Sequence, residues 1–396
     1  MLSLLWLLLP VAAASGWYVA KRTQQRPLHE QHSKQSLSPE YFQGLNFLID
    51  EQPDKAIDVF CQLVKDNEEQ ALELHLALGN LFRKRGEVDR AIHLHQNLLK
   101  NPDLHSETKY IATVELAHDY LRSGLLDRAE NLLLDLLSHD AANSTVLDLL
   151  RKIYQQEKEW QKAIDTVLKN DKVSAKQKII LAHYSCELAM ESAKYRNFST
   201  ALSLLDQALK YDAKCVRANI IKGNIYVQSD NYERSFKAYM QIAKQNRIFL
   251  GEVVSEMRDC SHHLDNQHQL MQFLRDNIKE CPDLRCIETF LSLLKETGSE
   301  TQASAFLVNF LKTSPSLPLL QNLFQLQAKD VQGEFRDAYR LASDTLNEIL
   351  KKHSLYLCED CGFRGRMLHW LCPSCKTWGS TVPICHTNGL TNDRKH

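Results

Sequence analysis

The chain has 396 residues, 48 of them basic and 49 acidic, for a formal net charge of −1. Glycine (13) and proline (10) are scarce, which excludes a fold of many short strands joined by tight turns and points to a helical bulk. The charges are interspersed without a long basic block, so a nucleic-acid groove is excluded, and no low-complexity tail announces extended disorder.

Residues 1–20, MLSLLWLLLPVAAASGWYVA, carry no charged side chain and are followed at once by Lys21 and Arg22. Twenty helical residues span about 30 Å, the thickness of a bilayer's hydrocarbon core. Trp17 and Tyr18 stand where interfacial aromatics anchor a span. Lys21, Arg22 and Arg26 place that end on the cytoplasmic side, so all later residues are expected inside. A cleaved signal peptide is the competing reading, but its basic residues should precede the apolar run rather than follow it. The Gln- and Ser-rich stretch 21–38 reads as a linker.

Residues 39–352 carry a recurring pattern: a small residue, an aromatic three positions later, and a second small residue twelve positions after the first. It runs through Gly44, Phe47 and Ala56; Gly79, Phe82 and Ala91; Ala117, Tyr120 and Ala129; and Gly223, Tyr226 and Ser235. Arg151 takes the first position before Tyr154 and Ala163, and Ser192 replaces the aromatic between Ala189 and Ala201. That period resembles the tetratricopeptide repeat, a helix–turn–helix unit of about 34 residues. Small residues let two antiparallel helices approach closely, and the aromatic fills the gap to the next unit. Polar turns fall between the helices at 51–54, 85–88, 123–126 and 229–232.

About nine repeats are expected, the last degenerate. Beyond residue 250 the signal decays, with helical periodicity persisting in the segments 283–298, 303–315 and 335–352. Pro282, Pro315 and Pro318 mark helix boundaries there. The expected fold is therefore an all-α superhelical solenoid with an N-terminal transmembrane helix and a small C-terminal knuckle domain. First helices should line a groove for protein partners. Asn80, Arg83, His118 and Asn224 occupy its expected contact positions, where amides and a guanidinium can hold a backbone or a carboxylate. An ordinary solvated helix face is the bland alternative.

Residues 355–387 hold Cys358, Cys361, Cys372 and Cys375 as two Cys-x-x-Cys pairs ten residues apart. Four thiolates in this spacing can surround one ion tetrahedrally. A segment this short cannot bury enough apolar surface to fold alone, so ligation should supply the missing stability. Phe363, Trp370 and Trp378 are expected to form a small core around the site, and the domain to cap the end of the array. Four thiolates suit iron or zinc. The CGF…CPSC arrangement resembles a shortened rubredoxin-like fold, which favours iron, with a zinc ribbon as the alternative. Four sulfurs leave no open position for a substrate.

The other seven of the eleven cysteines form no framework and read as small buried hydrophobes in a reducing compartment. His262, His263 and His268 match no metal-ligand spacing. No phosphate-cradling Gly-Lys loop, Gly-x-Ser-x-Gly elbow or His-Glu-x-x-His helix is present, so no enzyme is expected.

The stretches at 7–22, 79–96 (GNLFRKRGEVDRAIHLHQ), 159–165 (EWQKAID), 183–189 (HYSCELA) and 368–375 (LHWLCPSC) resemble the lipopolysaccharide assembly protein B family of Gram-negative bacteria. So does the order of anchor, repeats and rubredoxin-like knuckle. The resemblance implies an inner-membrane adaptor that regulates lipopolysaccharide synthesis. Such an adaptor presents the committed-step deacetylase of lipid A synthesis (LpxC) to the membrane protease FtsH. The implied partners extend to lipopolysaccharide transport proteins and, in a homodimer, a second copy of the chain. The four cysteines match the family's metal ligands. Cys385, His386 and the basic residues at 394–396 are not features of that resemblance. A general envelope-assembly scaffold and an electron-transfer protein are the alternative functions.

Overall fold

A computed structural model describes residues 42–384, apart from 45, 48–51, 67–70, 103, 141–142, 171, 298–299, 314 and 351–353. The expected anchor at 1–20 and linker at 21–38 lie outside the described residues. Among the described residues, no helix is long and apolar enough to cross a membrane. The chain divides into two compact units, Met1–Leu132 and Leu133–His396.

The first unit holds helices α1 (Pro53–Asp66), α2 (Ala71–Arg85), α3 (Val88–Leu99) and α4 (Ser106–Ser123); the unit boundary falls within α5 (Leu126–His139). Its core gathers Ala56, Ile57, Phe60, Leu74, Leu78, Phe82 and Ala91. The second unit continues with α6 (Ser144–Glu157), α7 (Trp160–Leu168), α8 (Ala175–Lys194), α9 (Phe198–Tyr211), α10 (Val216–Gln228) and α11 (Tyr232–Asn246). A 3-10 turn over Arg247–Glu252 leads into α12 (Val254–His263), α13 (Gln267–Glu280), α14 (Leu284–Glu296), α15 (Glu300–Thr313), α16 (Leu317–Asp330) and α17 (Glu334–Leu350).

The repeat pattern acquires a physical meaning at each of its positions. The second small residue is fully buried every time: Ala56, Ala91, Ala129, Ala163, Ala201 and Ser235. Ser235 is tolerated because its hydroxyl donates to the Gly223 carbonyl at 3.0 Å, which removes the cost of burying a polar atom. The first small residue meets the side chain sixteen positions on. A methyl group at Gly79 would collide with His95, and one at Gly223 with Tyr239.

The turn between paired helices is one geometry used repeatedly. A left-handed residue ends the first helix at Gly86, Gly124, Lys158, Arg196, Asp230 and Asp265. The next amide then donates to the carbonyl five residues back: Glu87 to Phe82 at 2.9 Å, Glu159 to Tyr154 at 2.8 Å, Asn231 to Tyr226 at 2.8 Å. This is the Schellman closure of a helix C-terminus. The acceptor is always the aromatic position of the pattern. Ser192 serves equally, accepting from Asn197 at 3.0 Å, because the bond needs only its backbone. The same closure at Asp265, with Asn266 donating to Ser261 at 3.0 Å, shows the register continuing past residue 250, where the side-chain signal fades.

Helices α14, α15 and α17 fall where periodicity placed them, and Pro318 sits in the first turn of α16, whereas α12 and α13 were not marked by it. Buried Cys186, Cys215, Cys260 and Cys286 behave as small core residues. The Cys186 and Cys215 sulfurs lie 4.0 Å apart, well beyond bonding distance. His263 stacks on Tyr232 and His262 faces Glu296, so these histidines belong to surface packing.

The knuckle is a three-stranded antiparallel sheet of order β2-β1-β3, with β1 Tyr356–Cys358, β2 Arg364–Gly365 and β3 Thr381–Pro383. Tyr356 pairs with both Gly365 and Pro383.

Candidate metal centre and the face that holds it

Two equivalent turns build the centre. In the first, the Gly362 amide donates to the Cys358 carbonyl at 2.9 Å, and the Cys358 amide to Phe363 at 2.8 Å. In the second, Lys376 donates to Cys372 and Cys372 to Thr377, each at 3.0 Å. Gly362 and Lys376 both take positive φ, which lets each Cys-x-x-Cys hairpin reverse and aim two sulfurs at one point. All four sulfurs lie within 4.8 Å of one another. The Cys358–Cys375 and Cys361–Cys372 separations are both 3.7 Å. Metal–sulfur bonds of about 2.3 Å at tetrahedral angles require sulfur–sulfur edges of about 3.8 Å, so these residues fit a single ion.

The thiols differ. Burial pushes Cys358 up, but the Ser380 hydroxyl, 3.3 Å from its sulfur, and the Cys361 and Asp360 amides outweigh it and bring it down to about 6. Burial raises Cys372 to about 11. Ion binding would therefore hold Cys372 as a thiolate and displace its proton. Cys358 and Cys372 are buried, whereas Cys361 and Cys375 face solvent.

The knuckle does not cap the end of the array, as the sequence had suggested. It lies on repeats in the middle of the second unit, and its tryptophans are not a private core around the ion. Trp378 is only 6% exposed because it sits among Trp160, His183 and Tyr184. It stacks on His183 at 5.1 Å and 22°, and meets Tyr184 edge-on at 5.9 Å. Its indole N–H donates to Gln155 Oε1 at 2.9 Å, which also accepts from the Tyr184 hydroxyl at 2.8 Å. Trp370 stacks on Phe249 at 5.6 Å. Tyr356 donates to the Glu252 carboxylate at 2.9 Å, and Arg285 holds that carboxylate from the other side at 2.7 Å.

Arg217 is buried between the two indoles, its guanidinium carbon 5.7 Å from Trp378 and 5.9 Å from Trp370. Glu187 pairs with Nη2 at 2.7 Å. Among the described residues Nε and Nη1 have no hydrogen-bond partner, and the ring faces supply cation–π attraction in its place. Burial, followed by the Arg217 charge, lowers His183 to about 3, so its imidazole is neutral against the indole. Gly379 takes positive φ where a Cβ would come 2.9 Å from the His183 ring, which lets the chain lie flat on it.

The residues expected to contact partners have different surroundings. Arg83 donates to Asp119 at 2.8 Å, to Glu115 at 2.5 Å and to Asn80 at 2.5 Å. Asp119 in turn reaches the fully buried His95 at 2.5 Å. Asn80 and Arg83 are thus brought together in one network. His118 is half-buried on the same helix as Asp119. In the second unit, exposed Asn224 accepts from the Tyr239 hydroxyl at 2.6 Å. Sequence reasoning missed the docking residues, yet one signal was available. Gln155 stands four positions after Arg151, the place Arg83 takes after Gly79, so the rule that selected Arg83 also selects Gln155.

Comparison with known proteins agrees with this architecture. Residues 356–383 match the family described as rubredoxin metal binding domain, and 74–107 and 187–249 match tetratricopeptide repeats. Lipopolysaccharide assembly protein B of Escherichia coli (strain K12) is 32% identical over 392 residues, covering 98% of this chain and 100% of the relative. The protein of that name from Haemophilus influenzae is 34% identical over 396 residues, covering 97% and 98%. Among solved structures, YrrB, described as a TPR protein with an unusual peptide-binding site, aligns at TM-score 0.33 and 15% identity over 47% of this chain and 92% of its own.

Proposed function

This chain belongs to the lipopolysaccharide assembly protein B family, and from that premise we propose that it is a non-catalytic adaptor at the bacterial inner membrane. It holds the lipid A deacetylase LpxC for degradation by the protease FtsH. The observation that carries the reading is the match along the whole chain, repeats and knuckle together. The charge-free segment 1–20 would confine the scaffold to the membrane plane, where a tethered adaptor meets a membrane protease at raised effective concentration. On this reading the ion is iron, with zinc as the alternative; its role is structural, holding Trp370 and Trp378 in place. Metal analysis of the purified chain distinguishes the two.

The test is the cellular half-life of the deacetylase with and without the chain, with the protease active and then inactive. Protease-dependent stabilisation on removing the chain is the expected result. An unchanged half-life returns the function to a general envelope scaffold. A second reading, electron transfer through iron, is favoured by the exposure of Cys361 and Cys375. It requires a reversible couple in voltammetry of the iron-loaded protein, and the lack of one removes it.

A further inference from the structure

Beyond the knuckle's footprint, the last repeats leave a cleft open. Helices α14 and α16 border a cavity of about 320 Å³, where Leu291 and Leu326 lie among the polar Glu288, Ser292, Lys295 and Asn322. Asn322 reaches across it to donate to Glu288 at 3.0 Å. Gln325 lines this cavity and also a second one of about 210 Å³, walled by Arg336 and Arg340 of α17 together with Ser343 and Asp344. Both cavities border Gln325, and a segment crossing that residue would follow one track from the first to the second.

Its chemistry differs from that of the arginines held in ion pairs on the repeat faces. Arg83, Arg151, Arg217 and Arg285 each have a carboxylate partner. Arg336 and Arg340, one helical turn apart, line the cavity with no ion-pair partner for either guanidinium among the described residues. The Gln325 amide is likewise unbonded among the described residues, and it carries the donor and acceptor that a peptide unit matches. We propose that this track is a docking site for an extended acidic segment of a protein partner. The partner's backbone lies on Gln325, apolar side chains face Leu291 and Leu326, and carboxylates reach Arg336 and Arg340. An extended chain alternates its side chains between two faces, which suits two leucines beside a cationic wall. Asp344, in the same cavity, disfavours a compact dianion and favours spaced single carboxylates.

The proposal rests on the adaptor reading for its biological meaning, but its test is separate. A short fluorescein-labelled peptide of alternating aspartate and valine is titrated with the full chain in detergent micelles and followed by anisotropy. The same peptide with asparagine in place of aspartate serves as the control. The expected result is binding of the aspartate peptide, weakened roughly tenfold or more by Arg336→Glu with Arg340→Glu and largely kept by Arg336→Lys with Arg340→Lys. Thermal melts establish that both variants fold, and inorganic phosphate should not compete. Equal binding of the two peptides, competition by phosphate, or undiminished binding by the folded glutamate variant overturns the site. Failure of the peptide arms while deacetylase half-life still depends on the chain removes this site alone. Peptide arms that succeed where the half-life never depended on the chain support the site and remove the adaptor reading.

Discussion

Two first-helix faces of this chain solve the same problem in opposite ways. In the first unit, α2 and α4 present charge, and the charge is consumed internally: Arg83 is held by Glu115 and Asp119, and Asp119 also by the buried His95. In the second unit, the face built from α6, α8 and α10 presents Gln155, His183, Tyr184 and Arg217, with Trp160 of α7 beside them, and a separate domain from the same chain covers it. Both use one turn geometry and one rule for close helix approach. The repeat backbone therefore sets where a groove lies but not whether it is free. That is decided by the few side chains at its contact positions.

Breaking the covered face at its source should have the largest effect. Cys372→Ser removes a ligand of the ion, and structural four-ligand sites stabilise their folds by about 10–16 kcal/mol. The knuckle should lose its fold and Trp378 its shielding, read as lost metal content and red-shifted tryptophan emission, while the repeats keep their helical signal. Trp378→Ala tests the anchor alone and should cost about 3–5 kcal/mol of the second unit's stability in denaturant titrations. Asp119→Ala is the matching cut in the first unit. Leaving buried His95 without its carboxylate, while Arg83 keeps Glu115, should cost about 1–3 kcal/mol there, without disturbing metal content. A loss of metal in that variant would contradict the independence of the two solutions.

Acid distinguishes the faces further. The docked His183 titrates near 3, against an ordinary 6.5. As pH falls between these values, the released state takes up a proton that the docked state refuses. Docking is unaffected above about 6.5 and weakens by up to about 1.4 kcal/mol per pH unit below it. His183→Phe should flatten that dependence in tryptophan fluorescence against pH. The smallest expected effect is that of Trp378→Phe, which keeps a ring in the aromatic site and removes the bond to Gln155, at about 1 kcal/mol.

Much of the fold was legible because repetition is local. The small positions, the aromatic and the polar turn all fall within one repeat, and each constrains helices adjacent in sequence. The metal centre was legible for the same reason, since both Cys-x-x-Cys turns are short-range devices. The docking face was not. Trp370 and Trp378 stand beside the ligands and read as a local core, because the pattern near them holds no trace of His183 or Phe249. Where a local rule did reach the face, at Gln155, it named the position but not its occupant. His95 was hidden differently: the sixteenth position after the first small residue is apolar or aromatic in the other repeats, as at Phe60 and Tyr239, and only the partner Asp119 explains a histidine there.

The bond between Trp378 and Gln155 joins residues 223 apart in sequence. At the usual pace of about 5–20 residues per second, a ribosome needs on the order of ten to forty seconds between making one and the other. Trp160, His183, Tyr184 and Arg217 are added early in that interval, and the nascent chain then carries them uncovered until Trp378 arrives. The time at which the groove closes is thus set by translation and by the arrival of metal, making each new molecule briefly adhesive before it is complete.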